Sequence, residues 1–448
     1  MDTLLQKSNL IEILPLNPIQ KDAPLEFQLG PWHDRFVDTS SIRICGQLRL
    51  KKVAANGTTS NTTDADDVSV VSCFPLAMFK SLSVTLNETE VMDLRNPCYP
   101  FKCYMDTICS YSPNACATVT STQYFTKQTI GSEDNNEKPS TGTDTSGYGI
   151  NKKFVIGDKL VEFISSTFCE MFNSQRLLIP GVQIKMKFLP SDTNFPIISA
   201  LANKDKFRLE LVNAKIVAKL VTVEPTVLPS LMDRLDQGEK CLYPFIRTSV
   251  TTHTIPAGTS THEFPMLFNG PLPTQILAGF MGVGNFEGAI DKNPFVFGPN
   301  DVTQFTFLKN GEPVHDYKTN YDEGVFLQAY QSLLDTLGIN RSNIALNVNP
   351  SIFKSNFAFY SYNDSPVSIC LFTNKGTKKS ITLLPFHFQD SCNNSHIHFT
   401  PSSSMGVISA RVTFSKALDN PLKMILFASH GKCLSIDKSL NTKLENTV

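Results

Sequence analysis

The sequence predicts an all-β protein made of antiparallel sheets, arranged in two halves of similar size. Five segments alternate apolar and polar residues with a period of two, and a segment near the midpoint interrupts this pattern. Such alternation indicates strands with one buried and one solvent-facing side, as in an antiparallel sandwich or barrel. The predicted interior positions are Ile42, Ile44, Leu48, Leu50, Leu82, Val84, Leu86, Val182, Ile184, Met186, Phe188, Phe207, Leu209, Leu211, Ile408, Ala410, Val412 and Phe414.

Helical periodicity is clear in two segments, so one short helix is expected in each half. The first helix is predicted to have Pro100 at its first position and to end before Ser112-Pro113. The second is predicted to run from about Val325 to Leu337, with Gly338 as its C-cap. The candidate interface or packing residues form one apolar stripe on the first helix: Phe101, Tyr104, Met105 and Ile108.

Residues 224–240 are predicted to link two domains, the first covering residues 1–223 and the second covering residues 241–448. This segment, EPTVLPSLMDRLDQGEK, lies near the midpoint of the 448 residues. Phe74–Phe79 and Phe264–Phe268 have similar sequences and each precedes a Leu-rich strand, which suggests that the halves arose by duplication.

Two polar stretches, Ala54–Asp67 and Lys127–Gly149, are predicted to be surface loops. The second is longer than the ~12–15 residues that most loops reach, so it is expected to be functional or mobile. Both contain mainly small polar and acidic residues.

Composition and charge exclude several classes of protein. Hydrophobic residues make up 41% and charged residues 18%, which is not the composition of a disordered chain. The net charge is −1, so no general or sequence-specific binding of nucleic acid is expected. No apolar run approaches the ~18 residues of a membrane span. The 32 phenylalanines predict an extensive packed interior or packed interfaces.

The N-terminus and the cysteines favour a reducing compartment. Met1–Leu10 has neither a basic start nor an apolar core, so no secretory signal peptide is expected. The 11 cysteines are odd in number and contain no CxxC pair, which predicts free thiols. The dense group Cys98, Cys103, Cys109 and Cys116 lacks zinc-ribbon spacing, so these residues are interpreted as small buried hydrophobes.

No catalytic residue, cofactor site or metal site is predicted. His396 and His398 would share a strand face, but a cupin-type metal site needs a Glu where this chain has Pro401 and Ser402. Gly282-x-Gly284 is not expected to open the helix that a dinucleotide loop requires, because polar residues and Pro294 follow. Gly376-Thr-Lys-Lys-Ser lacks the first glycine of a phosphate loop, and GxSxG does not occur.

The acidic residues and the lysine pairs have ordinary solvated contexts. Asp301, Asp316 and Asp322 fall in predicted loops. Folding can still bring two carboxylates of the chain together, so a glycosidase function stays open at this point. The lysine pairs are more typical of solvent-facing surfaces than of phosphate sites. They are Lys51-Lys52, Lys152-Lys153 and Lys378-Lys379.

Several motifs occur in an order that resembles one family. They cover roughly residues 70–125 and 240–440, and Glu88 stands where the family usually has Gly after Leu-Asn. The set is similar to the major capsid protein of Maverick/Polinton elements and adintovirus-like viruses. The motifs are Met78–Asn87, Tyr99–Tyr104, Thr107–Ser112, Tyr243–Arg247, Leu267–Pro273, Phe286–Gly288, Asn293–Phe297, Leu426–His430 and Leu434–Asp437.

This resemblance implies a double jelly roll, in which two eight-stranded sandwiches are fused in one chain. It further implies a homotrimer with a pseudo-sixfold outline that tiles an icosahedral shell around double-stranded DNA. The expected partners are neighbouring capsomers and a penton-type minor capsid protein. The expected location is the virion capsid, assembled in the host cytoplasm or nucleus.

Two other functions stay open at this point. One is a β-sandwich hydrolase or glycosidase, and the other is a carbohydrate- or receptor-binding sandwich of a virion surface. For the capsid function, the apolar stripe of the first helix has two interpretations. It either seals the open end of its own sandwich or also lies near a trimer contact.

Overall fold

The structure is a computed structural model that describes residues 5–94, 97–126, 147–174, 176–340, 345–364 and 404–446. Among these, the first half contains eleven strands. They are β1 (Leu5–Ile13), β2 (Leu25–Leu29), β3 (Phe36–Val53), β4 (Thr59–Asn61), β5 (Val68–Val70), β6 (Phe79–Leu86), β7 (Thr89–Leu94), β8 (Val161–Ser166), β9 (Ile184–Pro190), β10 (Ile197–Ser199) and β11 (Phe207–Val223).

The second half contains nine strands within the described residues. They are β12 (Cys241–Ile255), β13 (Thr261–Pro271), β14 (Gln275–Gly282), β15 (Val302–Lys309), β16 (Glu312–Lys318), β17 (Phe359–Asn363), β18 (Met405–Phe414), β19 (Leu422–Ile436) and β20 (Thr442–Asn446).

Both halves have the same strand connections. In the first half, the sheets have the orders β1-β11-β3-β8 and β2-β9-β6-β7. In the second half they have the orders β12-β19-β14-β17 and β13-β18-β15-β16. When the eight strands of these two sheets are numbered from 1 to 8 in chain order within each half, the sheets of both halves have the strand orders 1-8-3-6 and 2-7-4-5. All the pairings are antiparallel, so each half is a jelly roll and the chain is a double jelly roll.

Alternating burial places the core between the two sheets of each half. Ile42, Ile44 and Leu48 on β3 are buried, while the intervening residues are more exposed on average. In the second half, the Phe305 ring of β15 lies 5.6 Å from Phe280 on β14 and 4.9 Å from Tyr360 on β17, which joins the two sheets. A fully buried side chain of this kind stabilises the fold by roughly 1.5–3 kcal/mol. The predicted strand segments around residues 42, 82, 184, 207 and 408 are therefore confirmed.

One glycine in β3 is required by this packing. A Cβ atom on Gly46 would lie 2.8 Å from the Phe163 ring of β8 and 2.8 Å from the backbone oxygen of Asn213. Since both neighbours lie in paired strands of the same sheet, neither has room to move away.

The helices are short and lie in connections. Both predicted helices are present, and the described residues contain others besides. They are α1 (Phe74–Ala77), α2 (Cys98–Ser110), α3 (Pro113–Thr118), α4 (Gly147–Val155), α5 (Val227–Asp236), α6 (Val283–Glu287), α7 (Leu327–Thr336) and α8 (Pro350–Asn356), with 3₁₀ turns at Val119–Gln123, Glu170–Asn173 and Leu201–Asn203.

Helix α2 begins two residues earlier than predicted. Pro100 is its third residue, which is tolerated because the first N–H groups of a helix have no helical partner. The helix ends as predicted before Ser112, whose hydroxyl caps α3 by accepting a hydrogen bond from the Ala115 N–H at 3.3 Å. Helices α2 and α7 occupy the same connection in their halves, between the fifth and sixth jelly-roll strands.

Three sequence-based interpretations are corrected by the structure. The Ala54–Asp67 loop includes the short strand β4, which pairs with β3. The segment after Gly282 does form a helix, α6, but Gly288 ends it after five residues with a φ of 75°. Phe74–Phe79 begins with helix α1 whereas Phe264–Phe268 belongs to β13, so their similarity is not evidence of duplication.

Candidate functional site at the contact between the halves

Helix α2 places its apolar stripe against the second half of the chain. Phe101 is fully buried and its ring stacks on Phe286 of α6, with the centroids 5.3 Å apart and the planes 1° from parallel. The Tyr104 ring stacks on Phe295 at 4.5 Å. Met105 and Ile108 are also buried. Phe101 and Tyr104 therefore lie in a contact between the two halves, which we call the seam.

The aromatic cluster around Phe101 is drawn from both halves. Its edges meet Phe195 at 5.9 Å, Phe295 at 5.9 Å and Phe297 at 6.5 Å. Edge-to-face and offset contacts of this kind add about 0.5–1.5 kcal/mol each to the burial of apolar area. Gly288 allows this approach, because a Cβ atom there would lie 2.9 Å from the Phe195 backbone.

Beside the aromatic cluster, the seam contains a buried charged triad. Lys102 of α2 forms ion pairs with Asp106, one turn along the helix, and with Glu170, at 2.8 Å. The same Glu170 oxygen accepts a hydrogen bond from the Thr248 N–H of β12 at 2.9 Å. One carboxylate therefore joins α2, the 3₁₀ turn of the first half and a strand of the second half.

The triad holds two carboxyl groups around one ammonium group. Burial raises the pKa of Asp106 to about 6, and Glu170 adds to this rise while Lys102 opposes it. Burial alone would lower the pKa of Lys102, but the two carboxylates outweigh it and hold that pKa above its usual value. With all three groups ionised, the triad carries a net charge of −1 inside the seam.

Further hydrogen bonds join the halves away from α2. The Tyr243 hydroxyl donates to the Leu177 carbonyl at 3.1 Å and accepts from the Ile179 N–H at 3.2 Å. In addition, Asn87 Nδ2 donates to the Leu440 carbonyl at 2.8 Å, and Thr89 Oγ1 donates to the Thr442 carbonyl at 2.7 Å. The halves are therefore packed as one block.

The cysteines near α2 are confirmed as buried small hydrophobes. Cys98, Cys103, Cys109 and Cys116 are all buried free thiols. Burial raises the pKa of Cys98 to about 11 and the pKa of Cys109 further. Thiols held in the protonated form do not act as nucleophiles or metal ligands at neutral pH.

The lysine pairs and aspartates considered from the sequence do not come together in one site. Lys51 pairs with Asp158 at 2.6 Å and Lys52 pairs with Asp66 at 2.6 Å. Asp316 lies on strand β16 and not in a loop as predicted, and it accepts hydrogen bonds from Thr306 and Gln304. No cluster of three or more His, Cys, Asp or Glu side chains with metal-binding geometry occurs within the described residues. Several candidates lie outside those residues: His396, His398, the Gly376 segment, Lys378-Lys379 and residues 127–146 of the predicted loop Lys127–Gly149. The last three residues of that loop are described, and they are buried at the start of α4, so the surface-loop prediction is wrong for them.

The described helices include none with the length and hydropathy needed to cross a bilayer.

The charged triad was not predicted from the sequence. The spacing of Lys102 and Asp106, four residues apart on a predicted helix, was a usable sign of the first ion pair. No sequence spacing indicated the roles of Glu170 and Thr248, because both residues lie far from α2 along the chain and come close to it only in the folded structure.

Comparison with known proteins shows one distant relative in sequence and clear likeness in structure. No known protein-family profile matches the chain. An uncharacterized protein of Caenorhabditis elegans is 20% identical over 376 residues, which cover 82% of this chain and 86% of that protein.

Three solved viral structures resemble this chain along most of its length. A chain of the Sputnik virophage structure matches with a TM-score of 0.58 at 11% identity, covering 99% of this chain and 89% of the other. The Faustovirus major capsid protein matches with a TM-score of 0.53 at 9% identity, covering 95% of this chain and 90% of that protein. PBCV-1 VP54 matches with a TM-score of 0.53 at 10% identity, covering 99% of this chain and 97% of that protein. The chain therefore has the double jelly-roll fold of viral major capsid proteins, and the predicted fold class is confirmed.

Proposed function

We propose that this protein is a structural major capsid protein of the Maverick/Polinton type, without enzymatic activity. The observation that carries the proposal is the jelly-roll strand order, which occurs twice in one chain. It is supported by the overall structural similarity to the Faustovirus major capsid protein, which covers 95% of this chain. The order of family motifs in the sequence supports the narrower assignment to Maverick/Polinton elements.

The two jelly rolls are proposed as domains covering residues 1–223 and 241–448, with residues 224–240 as the linker. Within the described residues, no strand of one half joins a sheet of the other. Helix α5 lies in the linker, where it connects β11 to β12. The seam then holds the two domains side by side as a single building block.

Three such blocks would form a homotrimer with six sandwiches around its axis, which gives the pseudo-hexagonal outline of a capsomer. Contacts with neighbouring capsomers and with a penton-type protein would close an icosahedral shell around double-stranded DNA. Exposed apolar side chains support self-association: Leu10 and Leu14 at the edge strand β1 are each 69% exposed.

Electron microscopy of the purified protein tests this function. Hexagonal particles or closed shells are the expected result. Discrete monomers that bind glycans on an array would instead identify a carbohydrate-binding sandwich, and the capsid function would be rejected.

A further inference from the structure

Three basic side chains lie together on two neighbouring strands of the second jelly roll. Arg247 of β12 is directly opposite His430 of β19, and Lys432 follows His430 by two residues. Since side chains two residues apart share one side of a strand, all three project from the same side of the sheet. Opposite residues are about 5 Å apart and the next on that side is about 7 Å further along, which long basic side chains can span. We call these three residues the basic cluster.

The side chains around the basic cluster supply no counterion within the described residues. On β20, Asn446 lies opposite Lys432 and accepts a hydrogen bond from its Nζ. The acidic residue of that strand, Glu445, projects to the other side and pairs with a lysine of its own strand at 2.8 Å. From the facing sheet, the Phe268 ring of β13 lies 5.9 Å from the His430 ring. The neighbours are therefore an amide and an aromatic ring.

The basic cluster can be reached by a ligand. Arg247 and Lys432 are each only partly buried. The Arg247 guanidinium has no hydrogen-bond partner in the described part of the chain, and none of its nitrogens belongs to the unpartnered polar atoms that are sealed from solvent. A guanidinium carries several N–H donors in a fixed fork, so a ligand with acceptor oxygens can bind it directly.

The charges of the basic cluster oppose one another. Burial, with Lys432 and Arg247 adding to it, lowers the pKa of His430 to about 4. Burial and Arg247 also lower the pKa of Lys432. With His430 neutral and the other two side chains charged, the net charge is +2 near neutral pH. Like charges on facing strands are destabilising, so an anion bound between them would stabilise this part of the sheet.

A phosphate group matches the basic cluster in charge and in shape. Two cations require two negative charges, and a phosphate monoester carries about −1.5 to −2 at pH 7. Its oxygens point in several directions, which suits donors that come from two strands. A carboxylate carries a single charge, as does each phosphodiester of a nucleic acid, so both would leave one cation without a counterion.

We propose that the basic cluster binds a phosphate dianion, either free or as a monoester. The Arg247 guanidinium donates paired hydrogen bonds to two of its oxygens, and the Lys432 ammonium and the His430 N–H bind the remaining oxygen atoms. One chain supplies all three side chains, so the site is complete in a single subunit.

Isothermal titration calorimetry of the full-length protein tests the site with inorganic phosphate, methyl phosphate and dimethyl phosphate. At about pH 8 the first two carry close to two negative charges, whereas dimethyl phosphate carries one. Both dianions are expected to bind at least about tenfold more tightly than dimethyl phosphate, and the tighter of the two identifies the source of the phosphate group. No binding of either dianion, or equal binding of all three probes, overturns the proposal.

Variants that remove one charge locate the binding. Arg247→Gln and Lys432→Gln should each weaken phosphate binding about tenfold or more, the loss of one hydrogen bond between charged groups. Arg43→Gln is the matched control and should bind phosphate like the wild type. Arg43 is also partly buried without an ion pair among the described residues, but it lies on β3 and donates to the backbone carbonyls of Ser40 and Ile42.

Thermal melting in phosphate-free buffer separates a binding role of Arg247 from a structural one. Arg247→Gln should melt no lower than the wild type there, because it relieves the repulsion between like charges. Added phosphate should raise the melting temperature of the wild type and leave that of Arg247→Gln unchanged. A folded Arg247→Gln protein that binds phosphate as tightly as the wild type contradicts the assignment.

Discussion

At the scale of single residues, Phe101 shows how the sequence specifies the contact between the jelly rolls. Its ring touches aromatic side chains that come from both halves, including Phe195 and Phe286. A side chain in this position stabilises the first half and the seam together. Its loss therefore leaves a cavity that neither half can close alone.

Replacing Phe101 by Ala is expected to lower the free energy of unfolding by about 3–5 kcal/mol, because the ring is fully buried. Chemical denaturation followed by fluorescence or circular dichroism measures this loss. Phe154→Ala is the matched control, since Phe154 is 37% exposed, and it should cost about 1 kcal/mol or less. Equal losses for the two variants would show that the seam does not depend on Phe101.

The triad of Lys102, Asp106 and Glu170 makes the seam sensitive to pH. The pKa of Asp106 is raised to about 6 in the folded chain, from an ordinary value of 3.8. The folded chain therefore binds the proton more tightly than the unfolded chain. The contribution of Asp106 to stability is fully present below about pH 4 and is lost as pH rises through about 6.

Comparison with Asp106→Asn isolates this effect from the other carboxyl groups. The stability of the wild type relative to Asp106→Asn should fall by roughly 2 kcal/mol between pH 4 and pH 7, since one pKa unit corresponds to about 1.4 kcal/mol and part of the change already occurs below pH 4. Urea denaturation at several pH values gives the difference. A constant difference over that range, or one that grows with pH, would contradict the assigned direction of the pKa shift.

At the scale of elements, the inserted helices close the sandwiches through different chemistry. Helix α2 uses aromatic contacts and the charged triad. Helix α7 uses hydroxyl groups: Ser332 Oγ lies 2.7 Å from the Tyr317 hydroxyl of β16 and 2.8 Å from Ser361 Oγ of β17. Since β16 and β17 belong to different sheets, Ser332 ties the helix to both.

Ser332→Ala is expected to destabilise the protein by about 0.5–1.5 kcal/mol, because it removes hydrogen bonds to two hydroxyl groups while the Tyr317 hydroxyl keeps its bond to the Ser361 carbonyl. Thermal and chemical denaturation provide the measurement. In the control variant Ser355→Ala, the lost hydroxyl bonds only carbonyls of its own helix, so the change should stay within about 0.5 kcal/mol. A neutral Ser332→Ala would mean that α7 is held by its apolar face alone.

The strands that the sequence predicted have one face exposed to solvent. Strands β3 and β18 alternate because their outer sides meet solvent, so their period is visible. Strand β14 is buried along seven of its eight residues and has no alternation, which is why its pattern was not recognised. Helix α6 has five residues, too few to show a helical period. The seam depends on contacts such as that of Glu170 with Thr248, which no local pattern encodes.

At the scale of the whole molecule, the low net charge bears on how DNA would be enclosed. The chain carries 40 basic and 41 acidic residues, and basic pairs such as Lys51-Lys52 are neutralised by Asp158 and Asp66. Proteins that coat DNA by electrostatics need unpaired cations to displace counterions. Packaging of DNA is therefore expected to rely on other factors.

The purified protein should show no measurable binding to double-stranded DNA at physiological salt, in a fluorescence anisotropy titration with a labelled duplex. A highly basic DNA-binding protein serves as the positive control. Tight binding with a steep dependence on salt would show that the folded surface presents an unpaired basic face.

The central claim is that the double jelly roll is a self-assembling capsid subunit, and its mass in solution tests this most directly. Multi-angle light scattering of the purified protein at micromolar concentration should give three times the chain mass of 49.7 kDa. The Phe101→Ala variant should keep the same mass if it is folded, because that ring is buried within one chain. A monodisperse wild-type monomer of 49.7 kDa at that concentration would contradict the account.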